Sequence, residues 1–346
     1  MRTNCMKAGL VALVATVFVN GGRGEEAKFD LPAMGGFAVS PDNSTLVVSL
    51  TAKTELAFFD TLAGKETKRV TVEFQPTQMV WSDKVIFAAQ KASGQVHLLD
   101  AESGKELAVA NAGGPVRNLA LVKGVCFAST NNRQVYAIDA KGKSTKTDAQ
   151  GTFIAADPKG AFVCTVIDGR ARTDVMKYTV DGTKLKAVGT LQGKVRASLP
   201  NVQAVRISAD GKQVGVVAGG GWADVDRKRH YSVPLYSTAD MQSQLGELET
   251  GAYPSGCAIH PVLPLMFACT GKEGSVFNAK SYAPGAKFNA PREVAGAAAP
   301  SVLAFVAKGQ KLAWGTSDAN TGVLKFYDLE LTKDQRAELN KAFSRE

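Results

Sequence analysis

The chain holds few of the side chains that most often carry out chemistry. Only three histidines occur, His97, His230 and His260, and no Cys-x-x-Cys, His-Glu-x-x-His, Gly-x-Ser-x-Gly or Gly-x-Gly-x-x-Gly spacing is present. His260 precedes a proline where another segment reads Ser40-Pro41, which predicts a turn residue. No nucleophile, base and orienting group stand together, so the pattern favours a protein without catalysis and without a cofactor.

Two short strings place oxygen-bearing side chains at alternate positions, as calcium loops do. They are Asp224-Val225-Asp226 and Asp318-Ala319-Asn320. Asp224, Asp226, Asp318 and Asn320 are therefore candidate metal ligands. The alternative is that they stabilise turns, in which such strings are common.

The cysteine positions indicate buried thiols more than a disulfide. Cys126 and Cys164 stand inside apolar segments, where a free cysteine behaves as a small hydrophobic residue. Cys257 and Cys269 flank one predicted hairpin. When the turn of this hairpin is aligned on Ser40-Pro41 of the first unit, Cys257 pairs with Ala268. The two sulfurs then point to opposite faces, which disfavours a bond between them.

The first 24 residues have the pattern of a secretory signal peptide. Arg2 and Lys7 precede an uncharged run at residues 8–19, and small residues follow up to Gly24. Cleavage removes three basic residues and no acidic one, which lowers the formal net charge from +9 to +6. We expect an exported protein, periplasmic or extracellular, with no membrane span after cleavage and no nucleic-acid partner.

The remaining chain must be globular and repetitive. Of 346 residues, 45% are hydrophobic and 21% charged, which excludes a disordered chain. Short apolar segments separated by Pro, Gly, Asn and Asp recur, and many third segments close on aspartate. Asp60, Asp100, Asp139 and Asp181 follow one another at steps of 40, 39 and 42 residues. Four antiparallel strands in each unit of about 40 residues is the pattern of a propeller blade.

Seven such units can be counted, and the last lacks its fourth strand. After Asp328 the chain enters Thr332-Lys333-Asp334-Gln335, a capping box that predicts a helix burying Leu339, Ala342 and Phe343. The segment at residues 27–31 has no unit of its own and is predicted to supply the missing strand and close the ring. The predicted domains are a signal peptide at residues 1–24, an all-β seven-bladed propeller at 25–330 and a C-terminal helix at 331–346.

Several motifs resemble those of bacterial YVTN-type and WD40-like seven-bladed β-propellers. The blade openings Gln75-Pro76-Thr77 and Gly114-Pro115-Val116, and the turn Asp100-Ala101-Glu102-Ser103-Gly104-Lys105, are similar to the repeats of that superfamily. The resemblance implies the fold for residues 27–329, and implies binding scaffolds, lactonases or quinoprotein subunits as functions. In quinone-docking repeats a tryptophan follows this turn, whereas Leu107 and Thr67 occupy the corresponding positions of this sequence.

One long loop is the main local irregularity. Residues 219–229 join the second and third strands of the fifth unit, where units one to three use four or five residues. We expect this loop to share one face with the arginines of neighbouring loops and to expose Trp222 as an anchor. Alternatively, the loop is solvated and Trp222 folds over the channel mouth. The candidate ligand-binding residues are Trp222, Arg227, Lys228, Arg229, His230, Arg170, Arg172, Arg133 and Arg117.

Three hypotheses for function follow. The first is a binding scaffold without catalysis, with a protein or peptide partner, or an anionic glycan, on the face of residues 219–229. The second is a hydrolase resembling the seven-bladed lactonases, with Arg170, Arg172 and His230 near the channel. The third is an electron-transfer subunit resembling quinoproteins.

Overall fold

Seven small sheets form a closed ring. The computed structural model describes residues 27–167, 174–191, 199, 201–223, 226–270, 274–282, 284–289 and 300–344, so the predicted signal peptide lies outside it. Each of the seven sheets has four antiparallel strands. The innermost strand of each sheet contacts the innermost strands of both neighbouring sheets. The predicted seven-bladed β-propeller is confirmed.

The strands follow one another through the blades in chain order. Blades one to three comprise β2 (Met34–Val39), β3 (Thr45–Leu50), β4 (Glu55–Asp60), β5 (Lys65–Thr71), β6 (Pro76–Trp81), β7 (Val85–Gln90), β8 (Gln95–Asp100), β9 (Glu106–Asn111), β10 (Val116–Val122), β11 (Val125–Thr130), β12 (Gln134–Ile138) and β13 (Ser144–Gln150). Blades four and five comprise β14 (Phe153–Ala156), β15 (Phe162–Ile167), β16 (Asp174–Asp181), β17 (Lys184–Thr190), β18 (Val202–Ile207), β19 (Gln213–Ala218), β22 (Ser232–Ser237) and β23 (Gln244–Glu249). Blade six and the three C-terminal strands of blade seven are β24 (Gly256–Ile259), β25 (Leu265–Cys269), β26 (Gly274–Asn278), β27 (Pro284–Asn289), β28 (Val302–Val306), β29 (Lys311–Ser317) and β30 (Thr321–Asp328).

The burial of each strand follows its place in the blade. The second strand β3 is almost wholly buried, because neighbouring blades cover both of its faces. The outermost strand β5 alternates between exposed and half-buried residues, as a strand with one solvated face does. In blade one, burial therefore distinguishes the outermost strand from the second strand.

The core lies between blades and not inside them. Seven hydrophobic clusters of described residues each join two adjacent blades. Aromatic rings on second and third strands fill these junctions, and Phe58, Phe87, Phe127 and Phe267 are at most 1% exposed. Fully burying such a side chain contributes about 1.5–3 kcal/mol. No blade can bury these rings alone, so the blades stabilise one another.

The N-terminal strand closes the ring as predicted. Strand β1 (Ala27–Pro32) pairs antiparallel with β30, which places Phe29 opposite Leu324. The Phe29 ring packs edge-on against Phe59 of blade one, with ring centroids 4.9 Å apart, and against Phe326 at 5.9 Å. The N-terminal strand thus joins the last blade while its aromatic side chain contacts the first.

The C-terminal helix begins and packs largely as the sequence predicts. Thr332 is the N-cap of helix α1 (Lys333–Phe343), and both hydrogen bonds of the capping box with Gln335 are present. Leu339 is buried at the junction of blades six and seven, but Ala342 and Phe343 are only half-buried, contrary to the prediction. In the described part of the chain no helix is long and apolar enough to cross a bilayer.

Candidate functional site

The long loop of blade five folds into a hairpin of its own. Its strands are β20 (Trp222–Ala223) and β21 (Arg229–His230), which pair Trp222 with His230 and Ala223 with Arg229. The hairpin lies on the face that carries the connections between second and third strands and between successive blades, which we call the upper face. The corresponding connections of blades one to three occupy only residues 51–54, 91–94 and 131–133.

Trp222 is not the exposed anchor that the sequence predicts. Its side chain is 4% exposed and packs in the cluster between blades four and five with Leu199 and Val202. The indole Nε1–H donates to Ser232 Oγ at 2.9 Å, and that hydroxyl donates to Glu247 Oε2 at 2.6 Å. The indole turns inwards because burial removes its large apolar surface from water and the N–H finds a partner there. Trp222 packs between two blades and is not among the residues that line the channel.

His230 supports the hairpin from the other strand. Its ring stacks on the Trp222 indole, with centroids 4.3 Å apart and planes inclined by 13°. Its Nδ1 lies 3.8 Å from Glu247 Oε2. The chain of Trp222, Ser232, Glu247 and His230 therefore fixes the base of the hairpin to the outer strands of blade five.

The tip of the hairpin is basic and exposed. Arg227, Lys228 and Arg229 are all exposed, next to Asp226. Arg227 has a φ of 61°, the left-handed conformation of a tight turn. Arg229 donates from its guanidinium to the carbonyl of Gly220, which holds that side chain across the hairpin. Arg227 has neither an ion pair nor a side-chain hydrogen bond among the described residues.

Two exposed tyrosines beside the hairpin were not singled out by the sequence. Tyr231 directly follows β21 and is 39% exposed, while Tyr253 opens blade six and is 67% exposed. Their ring centroids lie 6.0 Å apart with planes inclined by 53°. The φ of Tyr253 is 61°, an unusual value for an aromatic residue. In the sequence, the signal that could have identified this pair is the tyrosine immediately before Pro254, the proline that opens blade six.

The arginines predicted to join this face are dispersed. Arg117 is the second residue of the inner strand of blade three; it is exposed, and its guanidinium lies 5.1 Å from the Phe153 ring centroid. Arg133 lies exposed in the 131–133 turn with a φ of 67°. Both share the upper face with the hairpin but belong to a blade two positions away. Arg170 and Arg172 lie outside the described residues.

The predicted oxygen ligands act in turns where the structure shows them. Asp318 Oδ1 accepts from the backbone N–H of Asn320 at 2.8 Å and of Thr321 at 2.7 Å. These backbone donors lower the pKa of Asp318. Asp226 stands at the hairpin tip and Asp224 outside the described residues. Within the described ranges, no three metal-ligating side chains come together.

The other two histidines are held inside the fold. His97 stacks on Phe74, with ring centroids 3.6 Å apart, and its Nδ1 lies 2.6 Å from Glu106 Oε2. His260 is fully buried, and its Nδ1 accepts from the N–H groups of Val262 and Leu263 at 3.1 and 2.9 Å. The predicted turn role of His260 is confirmed. Burial lowers its pKa to about 4.

The cysteine predictions also hold in the described residues. Cys257 pairs across the hairpin with Ala268, and Cys269 with Gly256. Cys126, Cys164, Cys257 and Cys269 are all free and buried. Burial raises the pKa of Cys164, Cys257 and Cys269 to about 12, so these thiols are neutral at physiological pH.

A central channel runs between the seven inner strands. It encloses about 700 Å³ and is lined by residues from every blade. Most of its lining residues have apolar side chains, although polar atoms form more than half of the accessible wall; the lining includes the two cations Arg117 and Arg206 and, among the described residues, no Asp or Glu. The sequence pattern does not single out Arg206, although an arginine between Val205 and Ile207 is unusual in an inner strand.

Comparison with known proteins shows the fold alone. A structure of Kuenenia stuttgartiensis hydrazine synthase matches with a TM-score of 0.63 and 15% identity, over 86% of this chain and 96% of that one. A chain in the crystal structure of a mitotic checkpoint complex matches with a TM-score of 0.64 and 15% identity, over 95% of this chain and 99% of that one. No family model and no curated protein sequence matches the chain.

Proposed function

We propose that this propeller is an exported scaffold without catalysis, which binds an acidic segment of a protein partner on the upper face of blades five and six. The binding surface, here called the Tyr–Arg surface, comprises Tyr231, Tyr253, Arg227, Lys228 and Arg229. The observation that carries the proposal is the exposed pair of tyrosines beside a basic hairpin with a fixed base.

The tyrosines supply the apolar part of the surface. Among described residues the other exposed large hydrophobic side chains are aliphatic: Leu62, Leu107, Val109, Val188 and Leu245. Tyrosine is enriched in the energetic centres of protein interfaces, because it offers a large apolar area and a hydroxyl with only two rotatable side-chain bonds. Tyr253 combines a left-handed backbone, with a φ of 61°, with a ring that is 67% exposed. Such local strain is typical of functional positions.

The basic tip supplies the charge that selects an acidic partner. Three consecutive cationic side chains are exposed there, and Arg227 has no ion pair within the described part of the chain. A carboxylate of a partner can accept two hydrogen bonds from one guanidinium, which gives both strength and geometry. Rim charges of this kind also accelerate association with a partner of opposite charge.

The support beneath the surface makes it rigid. Trp222 and His230 stack under the hairpin, and the Trp222–Ser232–Glu247 hydrogen bonds anchor it to blade five. A surface that is already ordered loses less conformational entropy on binding, which favours affinity. Trp222 thus supports the surface from beneath, and Tyr231 and Tyr253 make the contacts with the partner.

The comparisons are compatible with this role but do not select it. One similar propeller stands in a mitotic checkpoint complex, a protein assembly, and another in a hydrazine synthase, an enzyme by its name. A fold shared at 15% identity does not determine function, so the proposal rests on the Tyr–Arg surface. Export is proposed from the charged start and the apolar run at residues 8–19.

Peptide binding tests the proposal. We would measure fluorescence polarisation of labelled peptides that combine Asp or Glu with Leu or Phe, and of matched peptides with Lys in place of the acidic residues. We expect the acidic peptides to bind and the basic ones not to. The double variant Tyr231→Ala/Tyr253→Ala should weaken binding about 30-fold or more. Arg227→Glu should weaken it and reduce its dependence on salt.

The control is Leu107→Ala, which removes an exposed apolar side chain from the outer strand of blade two. It should leave peptide affinity unchanged. Equal binding of acidic and basic peptides, or full binding by the tyrosine double variant, would overturn the proposal. A photo-crosslinking residue at the neighbouring exposed position 252, which leaves Tyr253 in place, shows whether a natural partner from an envelope extract contacts this surface.

A further inference from the structure

We infer that the central channel binds a small organic carboxylate, with the guanidinium of Arg206 as the recognising group. The site is independent of the Tyr–Arg surface, since Arg206 belongs to the inner strand β18. The argument rests on the position of Arg206, its unused donors, the charge of the channel and the shape of the space around it.

Arg206 occupies a position that is small or apolar in every other blade. The inner and second strands of each blade form a hairpin. The position of Arg206 is two residues before the last residue on the inner-strand side that pairs across this hairpin. The residues at this position in the other blades are Ala38, Val80, Ala120, Ala155, Ala258 and Ala304, all of which line the channel. A ring of mostly alanine side chains leaves open space at the level of one arginine.

Most of the hydrogen-bonding capacity of Arg206 is unused. Its Nε donates to Cys257 O at 3.1 Å, and its Nη1 donates to Val205 O at 2.9 Å. A guanidinium has five N–H donors, so three of them, including both on Nη2, have no acceptor among the described residues. The Nη1–Nη2 edge, which pairs with a carboxylate in two parallel hydrogen bonds, therefore lacks a full set of partners.

No carboxylate of the described chain neutralises Arg206. It takes part in no ion pair there, and the residue keeps only partial exposure to the channel. Desolvation lowers its pKa, which means that the surrounding protein disfavours the charged form. Arginine nevertheless stays protonated in proteins. A charge removed from water without a partner costs several kcal/mol, and an anion from solution can offset that cost.

The end of the channel near Arg206 suits the apolar part of a ligand, and the upper end offers polar groups. About 700 Å³ falls within the range of small-molecule pockets, roughly 300–1,000 Å³. Val39, Leu121 and Ile259 line the end of the channel that lies nearer to Arg206, while Gln78, Gln203 and Ser301 line the upper end. With Arg117 as the second lining cation and no described acidic residue, the electrostatic potential inside favours an anion.

Calorimetry with simple carboxylates tests the inference. We would titrate the full chain with octanoate and with benzoate, and use octanamide and benzamide as neutral controls of the same shape. We expect the carboxylates to bind and to raise the Tm of the protein, and the amides to do neither. Arg206→Met, which keeps the length and removes the charge, should weaken carboxylate binding about 30-fold or more.

Matched variants separate recognition from folding. Arg117→Met removes the other channel cation and should change affinity by less than about threefold. Arg206→Lys keeps the charge but not the two-pronged edge, so it should fold and bind with intermediate affinity. Without ligand, Arg206→Met should melt at a higher temperature than the wild type, because an unpaired buried charge is gone.

Three results would overturn the inference. They are no heat or Tm change with either carboxylate, equal binding of acid and amide, or binding that survives Arg206→Met and is lost in Arg117→Met. Peptide binding at the Tyr–Arg surface should be unaffected by Arg206→Met, so failure of the channel site and failure of the proposed scaffold function are distinguishable.

Discussion

The Nε2–H of His260 in blade six donates to the carbonyl of Gly309 in blade seven, with the two atoms 2.9 Å apart. The N–H of the same glycine donates to Asn43 Oδ1 of blade one at 2.9 Å. One turn of blade seven is thus joined to both of its neighbours through side chains. Because His260 Nδ1 accepts two backbone N–H groups, the imidazole must be neutral to make all of these bonds.

Stability should therefore fall in mild acid. The pKa of His260 is lowered from 6.5 to about 4 by burial, with no charged group contributing. Since the unfolded chain binds the proton more tightly, the contribution of His260 is complete above about pH 6.5 and is lost as the pH falls towards 4. A shift of this size corresponds to about 3 kcal/mol. Urea unfolding between about pH 7 and about pH 4 measures it.

The variant His260→Asn gives the matched control for this pH dependence. Its amide oxygen can accept from the turn, but it does not titrate. We expect lower stability at neutral pH and a flatter profile between about pH 6.5 and about pH 4. An unchanged slope would assign the acid sensitivity to other groups.

Gly309 should not tolerate a side chain. Its φ is +79°, and a Cβ would stand 2.6 Å from Cε1 of the His260 ring. Gly309→Ala combines backbone strain with displacement of the imidazole, so we expect a loss of about 2–4 kcal/mol. Gly182→Ala is the control, since its φ is +57° and a Cβ there meets nothing within 4 Å. Comparable losses in both variants would show that only the backbone conformation matters.

Much of the architecture could be predicted from the sequence, because it depends on local alternation and turns. The regular spacing of Asp60, Asp100 and Asp139 gives the blade length, and the missing strand after Asp328 points to the N-terminal segment as its replacement. The short, regularly spaced turns left little freedom in the order of strands.

The site was harder to predict, because side-chain direction depends on partners distant in sequence. Trp222 turns inwards because Ser232 accepts its N–H and because residues of blade four and blade five cover it. Tyr231 and Tyr253 meet only when blades five and six are placed side by side. Arg206 is recognised as exceptional only after the inner strands are aligned and six small or apolar residues appear at its level.

The N-terminal strand should contribute strongly to stability. Phe29 contacts Phe59 of blade one and Phe326 of blade seven, so its removal weakens the joint between the first and last blades. We expect Phe29→Ala to lower the free energy of unfolding by about 2–3 kcal/mol, less than a fully buried phenylalanine because Phe29 is half-buried. Phe29→Leu should recover part of the loss. Stability equal to the wild type would show that β1 does not hold the ring closed.

Trp222 should behave as a core residue in unfolding experiments. Trp222→Ala should cost about 3–4 kcal/mol, whereas truncation of a surface side chain typically changes stability by less than about 0.5 kcal/mol. Trp222→Phe keeps the ring but loses the bond to Ser232, and should cost about 1 kcal/mol. Urea unfolding of both variants beside Tyr253→Ala separates the supporting residue from the contacting one. A negligible cost for Trp222→Ala would mean that the Trp222 side chain is exposed, as the sequence predicts.

The four buried cysteines should be inert in the native protein. Their pKa values are raised by burial, to about 12 for Cys164, Cys257 and Cys269, so almost no thiolate forms at about pH 8. We expect a maleimide to label none of the four until urea unfolds the chain, and labelling should then follow global unfolding. A variant with Leu107→Cys, at a position 54% exposed, should react at once and serves as the control. Rapid labelling of a native cysteine would mean that one blade junction opens locally, and Cys257→Ala or Cys269→Ala would identify it as a junction of blade six.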